Sequence, residues 1–117
     1  MGKKKKQVRA AFRNAVFKRD RYKCVVCGKQ WSEDESDPSL GRVNAHHITD
    51  RSLMPNGGYV KENGVTVCDG GPGSCHMRCE QWHISGHTEV EEGLHPDDLY
   101  QKIGSSYQAA VDASERL

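Results

Sequence analysis

Three stretches decide the fold: Arg42-Val43-Asn44-Ala45-His46-His47-Ile48, the return Asn63-Gly64-Val65-Thr66-Val67-Cys68, and the run from Cys75-His76 to Ile84. Val43 and Ala45 alternate with polar neighbours as in a half-buried strand, and Val65-Thr66-Val67 is a second short β-branched run. Between them, Pro55-Asn56-Gly57-Gly58 and Asn63-Gly64 are strong turn signals, so the strands are predicted to form a hairpin with a long connection. Asp69-Gly70-Gly71-Pro72-Gly73-Ser74 reads as loop. Ser74 then offers an N-cap, and Gly86 a stop, for a helix over 75–84. The expected centre of the molecule is strand, strand, helix.

Outward from this centre, Val8, Phe12, Ala15, Val16 and Arg19 fall near one face, which predicts an amphipathic helix from Val8 to about Asp20. Its opposite face carries Arg9, Arg13 and Lys18. Residues 1–7, with Lys3 to Lys6, are expected to be a disordered basic arm. Cys24-Val25-Val26-Cys27-Gly28 reads as a tight cysteine knuckle, and residues 30–41 as a polar loop anchored by Trp31. His95-Pro96-Asp97-Asp98 looks like a helix start, and Ser105 a cap for a last helix bearing Tyr107, Ala110, Val111 and Ser114 on one face. The predicted organisation is one small α+β domain. It comprises the arm 1–7, a main unit 8–90, and a helical extension 91–117 packed on that unit.

A chain of 117 residues with 35% hydrophobic content lies below the usual range of about 45–50%. Such a chain has little apolar surface to bury, and a metal staple is physically expected. No apolar run approaches the ~18 residues of a membrane span. No apolar segment follows the first lysines, so no signal peptide is expected. Five cysteines fit a disulfide framework poorly, and a CxxC behind a basic helix pattern reads better as a metal-ligand pair than as a redox motif. The formal net charge of +1 conceals a division. Residues 1–29 hold eleven Lys/Arg against the single acid Asp20, while the remainder holds six against fifteen. A basic segment of that density is an electrostatic footprint for phosphate.

Structural zinc sites take two ligand pairs on tight turns. Cys24 and Cys27 form one pair at the expected spacing. Cys68 and Cys75 form the other, with the Gly/Pro-rich insert 69–74 looping out between them. Cys79 is read as a packed free thiol, and as the fourth ligand in place of Cys75 in the alternative. His46 and His47, adjacent on a strand, point to opposite faces. His76 opens the following helix, with Glu80 at i+4 and His83 at i+7 on the same helix face. Glu80 is a candidate ligand or a surface carboxylate, and His83 a candidate ligand or a helix-end histidine.

Taken together, Cys24-x-x-Cys27, Ala45-His46-His47-Ile48, Gly57-Gly58, Asn63 and Cys68…Cys75-His76 resemble the HNH endonuclease family, over about residues 9–85. The resemblance implies a ββα-metal core and a DNA endonuclease leaving 5′-phosphate and 3′-hydroxyl ends. It implies His47 as general base, Asn63 as the residue that braces the hairpin loop and orients that base, and His46 and His76 as ligands of a catalytic divalent cation. Glu80 or His83 would be the third ligand, and the ion Mg²⁺, Mn²⁺, Ni²⁺, Co²⁺ or Zn²⁺, beside one structural Zn²⁺ on the four cysteines. Arg9, Arg13, Lys18, Arg19 and Arg51 are the expected DNA contacts, with Arg51 and Arg78 alternatively salt-bridged. A phage or prophage setting would place the chain in the cytoplasm of a bacterial or phage-infected cell, with packaging machinery as a partner. The alternative from another class is a non-catalytic zinc-stapled DNA-binding module.

Overall fold

A computed structural model describes residues 2–117. Its first element, α1, runs Gly2–Arg19, six residues earlier than the amphipathic pattern requires. Residues 2–7, expected as a disordered arm, thus continue the helix, and Met1 lies outside the described residues. Lysine and glutamine are good helix formers, and extending a helix already held by packing adds one bond for each residue fixed. The buried side of α1 is Phe12, Val16 and Phe17.

Two strands, β1 (Val43–His47) and β2 (Gly64–Cys68), pair antiparallel with Val43 opposite Cys68, His46 opposite Val65 and His47 opposite Gly64. Gly64 sets the distance between hairpin and α1. A Cβ there would lie 2.5 Å from Val16 and 2.6 Å from Phe12, so any side chain would push the helix off the sheet. Val16, Val65, Val67 and Ile48 are fully buried at this contact. The long connection between the strands is tightened by short 3-10 turns over 51–53, 55–58 and 61–63.

The helix α2 (Cys75–Ile84) has the expected bounds, and the Ser74 side chain accepts from the Met77 amide at 3.3 Å. The extension forms α3 (Pro96–Lys102), capped by His95, and α4 (Tyr107–Glu115). The cap of α4 is Ser106, whose hydroxyl accepts from the Ala109 amide at 3.0 Å. Ser105, the residue expected there, instead donates to the Glu62 carbonyl at 2.9 Å. That bond, with Asn56 donating to the Ser114 carbonyl at 2.9 Å, fastens the extension to the hairpin connection. The result is a small α+β domain with four α-helices and a two-stranded hairpin among the described residues. Trp31 anchors its loop as expected, 5% exposed. No helix among the described residues is long and apolar enough to cross a membrane.

Candidate metal centres

The knuckle after α1 is closed by amide bonds from Cys24 to the Lys29 carbonyl and from Gly28 to the Cys24 carbonyl, each 2.9 Å, and Val25 donates to Thr66 of β2 at 3.0 Å. These bonds carry Cys24 and Cys27 to the end of the hairpin, where β2 supplies Cys68 and the start of α2 supplies Cys75. The four sulfurs lie within 4.8 Å of one another and are positioned to hold a metal ion. Four sulfurs each about 2.3 Å from a tetrahedral ion stand about 3.8 Å apart, and the Cys27–Cys68 sulfur separation is 4.0 Å.

The surroundings suit thiolates. The Cys27 amide points to Cys24 Sγ at 3.4 Å, the Cys75 amide to Cys68 Sγ at 3.3 Å, and Arg78 to Cys75 Sγ at 3.6 Å. Burial and the neighbouring sulfurs push the Cys75 thiol well above its ordinary value, a crowding of like charge that a divalent cation relieves. Cys79 stays outside the quartet, buried and without a disulfide. Burial pushes its thiol up to about 12, which leaves it protonated and packed. Between the two alternatives for the fourth ligand, the geometry selects Cys75.

A second cluster lies where β1 meets α2. His46, Glu80 and His83 each offer a ligand atom, all within 4.8 Å of one another. His46 is 1% exposed, and its Nδ1 lies 3.0 Å from Glu80 Oε1. A carboxylate only accepts, so Nδ1 carries the hydrogen and Nε2 the lone pair. His83 Nε2 donates to the His47 carbonyl at 3.1 Å, which leaves the lone pair on Nδ1. Both His46 Nε2 and His83 Nδ1 are buried with no hydrogen-bond partner. Two orphaned imidazole lone pairs beside a carboxylate form a donor set that fits a divalent transition ion.

His76 reaches the same Glu80 oxygen, with Nε2 at 3.4 Å, while its Nδ1 lies 3.3 Å from Asp69. Hydrogen bonds from His46 and His76 hold the Glu80 carboxyl far below its usual range. Burial lowers His46. For His76, burial is outweighed by Glu80 and Asp69, and the imidazole is raised. The structure thus gathers both candidates for the third ligand, Glu80 and His83, and places His76 beside that trio through Glu80.

His47 faces the other way, as strand geometry requires. Its ring stacks on Phe12 with centroids 4.6 Å apart and meets the edge of Tyr59 at 4.8 Å. Burial pushes its pKa down to about 4, so the imidazole is neutral at pH 7, with Nε2 buried and unpartnered. Asn63 is fully buried. Its Oδ1 accepts from the Thr49 amide at 2.9 Å and from Tyr100 Oη at 2.7 Å, and its Nδ2 donates to the carbonyls of Thr49 (3.0 Å) and Gly58 (3.3 Å). None of these bonds goes to the His47 ring. They hold the backbone just after His47, where Ile48 also donates to the Asn63 carbonyl at 2.9 Å. Gly58 admits this bracing, because a Cβ there would lie 2.7 Å from Asn63 Nδ2.

His47 lines a cleft of about 370 Å³ together with Arg9, Arg13, Arg51, Tyr59 and Asp69. A larger groove of about 620 Å³ adjoins it, sharing Arg9, Arg51 and Tyr59 and adding Lys4, Lys5 and Asn56. Arg51 donates to Tyr59 Oη at 2.9 Å, and the Arg9 guanidinium sits 5.9 Å from the Tyr59 ring centre. Of the cations singled out in the sequence, Arg9, Arg13 and Arg51 therefore meet at one place. Lys18 is exposed and lines neither cavity. Arg19 corrects the sequence reading. It pairs with Asp20 at 2.8 Å and donates to the carbonyls of Gly64 (2.6 Å) and Lys61, pinning α1 to the hairpin. Arg78 is likewise committed, to Glu91.

Three residues at these centres carried no sequence signal: Tyr59, Asp69 and Tyr100. Tyr100 meets Thr49 and Asn63 across 51 and 37 residues, while Tyr59 and Asp69 meet Arg51 and His76 across loops, where a single tyrosine or aspartate has no periodicity to mark its partner. Compared with family models, with curated proteins and with solved structures, the chain matches none.

Proposed function

We propose that this chain is a metal-dependent DNA endonuclease of the HNH kind, with one structural zinc on its four cysteines. The observation that carries the reading is the division of labour at His46 and His47. One neighbour turns to a cluster of unpaired metal-ligand atoms, and the other turns to a cleft walled by three arginines.

Phosphodiester hydrolysis needs a base, a nucleophilic water, and stabilisation of the charge that develops on the phosphate. His47 enters neutral, so its imidazole accepts the proton of the attacking water. The water oxygen forms the new bond to phosphorus and the bond to the 3′ oxygen breaks. That oxygen takes a proton from solvent, leaving 5′-phosphate and 3′-hydroxyl ends. Arg9, Arg13 and Arg51 bind the phosphate oxygens, and Phe12 and Tyr59 hold the His47 ring in one orientation. Asn63 keeps the backbone after His47 from shifting. His46, Glu80 and His83, with His76 adjoining, would hold a divalent cation, which supplies Lewis-acid stabilisation of the phosphate and the leaving oxygen.

Long cationic surface suits a continuous polyanion, and the groove of Lys4, Lys5, Arg9 and Arg51 extends the cleft for the strand flanking the cut. Incubating supercoiled plasmid with the purified chain across Mg²⁺, Mn²⁺, Ni²⁺, Co²⁺ and Zn²⁺ tests the reading. Nicking that needs the ion and His47 supports it. Binding without cutting under every ion assigns the chain to the DNA-binding module class instead.

A further inference from the structure

The two centres are joined by a repeated sequence relation. Cys68 is followed by Asp69 and Cys75 by His76, so each cysteine ligand delivers its next residue toward the histidine centre. There the two meet, Asp69 Oδ2 lying 3.3 Å from His76 Nδ1, with side chains 26% and 20% exposed respectively. Asp69 is itself held. Its amide donates to the Arg42 carbonyl at 2.9 Å, its Oδ1 accepts from Gly70 at 2.8 Å, and Asn44 approaches its Oδ2 at 3.5 Å.

We propose that Asp69 is a positioning residue through which the cysteine centre sets the geometry of the histidine centre. Asp69 holds the Nδ1 side of His76, so Nε2 is the nitrogen turned to Glu80, the one that gives up its hydrogen when an ion enters between them, and Asp69 is in place because Cys68 and Cys75 are drawn together. An imidazole whose far nitrogen is fixed by a carboxylate is oriented and made a better donor at the near one. The inference rests on the reading that the histidine centre binds a divalent ion. It adds that ion binding there depends on the residues following the two cysteine ligands.

The test uses the full chain carrying one equivalent of zinc, titrated calorimetrically with Ni²⁺. Asp69→Ala is expected to keep its zinc by native mass spectrometry and its helical signal, while affinity for the second ion falls on the order of 10–100-fold. Asp69→Asn, which keeps an acceptor oxygen, should lose less. In a His76→Ala background, Asp69→Ala should cost nothing further. Unchanged Ni²⁺ affinity in Asp69→Ala overturns the proposal, as does an equal loss without His76 or a loss of the first zinc. Ring ¹⁵N shifts of His76 in the wild-type chain give an independent readout with zinc at both centres. The hydrogen on Nδ1 is expected, and a hydrogen on Nε2 overturns the proposal even if no variant folds. A wild-type chain that takes no second ion contradicts this inference and the catalytic reading together. One that binds a second ion but cuts no DNA contradicts the catalytic reading alone.

Discussion

Tyr100 of α3 donates to Asn63 Oδ1 at 2.7 Å and shares a hydrogen bond of 2.7 Å with Thr49 Oγ1. The C-terminal extension is therefore part of the support for the hairpin loop. The Tyr100 phenol is raised to about 12 chiefly by burial, so it stays a donor at any ordinary pH. Tyr100→Phe removes one buried and one half-buried hydrogen bond and leaves the Asn63 oxygen with the Thr49 amide alone. A loss of about 1–3 kcal/mol in urea unfolding is expected, together with slower cutting. Wild-type stability in Tyr100→Phe would show that the extension merely packs beside the domain.

The cysteine centre should control folding. Structural zinc contributes on the order of 10 kcal/mol in small domains, so Cys24→Ser, Cys68→Ser or a strong chelator should unfold the chain. Cys79→Ser, at a buried thiol outside the quartet, should be mild. Circular dichroism and zinc content of each variant check this. A Cys75→Ser variant that folds while Cys79→Ser does not would reverse the ligand assignment.

How much of this was legible in the sequence depends on the range of each interaction. The hairpin, α2 with its Ser74 cap, the cysteine quartet and the pairing of His46 with His47 are all read from neighbours or fixed spacings. The extent of α1 was not, because four lysines resemble a disordered tail when their attachment to a packed helix is not visible. Arg19 departs from the sequence expectation for a related reason. Its charge and place on a basic helix were plain, but the carbonyls of Lys61 and Gly64 that it bonds are more than 40 residues away.

Two arginines on one helix thus meet different surroundings, Arg19 the hairpin carbonyls and Arg9 the cleft beside Tyr59. Arg19→Ala should cost about 1–3 kcal/mol of stability, since charged hydrogen bonds to the hairpin are lost, yet leave the salt dependence of DNA binding unchanged. Arg9→Ala should leave stability near wild type and reduce the slope of log affinity against log salt by about one. Fluorescence anisotropy on a duplex across salt concentrations, beside urea unfolding, distinguishes them. A reduced slope in Arg19→Ala would return that residue to the DNA.

Stability should also depend on pH through His47. Its folded pKa is pushed down by burial to about 4 from an ordinary 6.5, so the unfolded chain binds the extra proton. This contribution is complete above about pH 6.5 and is lost as pH falls toward 4, amounting to about 3 kcal/mol. Burial shifts His46 the same way, whereas His76, raised by Glu80 and Asp69, acts in the opposite sense. The difference between wild type and His47→Gln isolates the group. The wild type should lose more stability than the variant between pH 6.5 and 4, and parallel curves would show that His47 is not buried neutral.

The most direct test of the nuclease reading measures second-ion binding and plasmid nicking on the same preparations of wild type, His46→Ala and His47→Ala. His47→Ala is expected still to bind the ion while nicking falls by about 10²–10⁴-fold, the usual cost of losing a general base. His46→Ala should lose affinity for the ion, with part of its nicking restored by excess. Wild-type nicking in His47→Ala, or loss of the ion from His47→Ala with retention in His46→Ala, would contradict the division of roles between the two histidines.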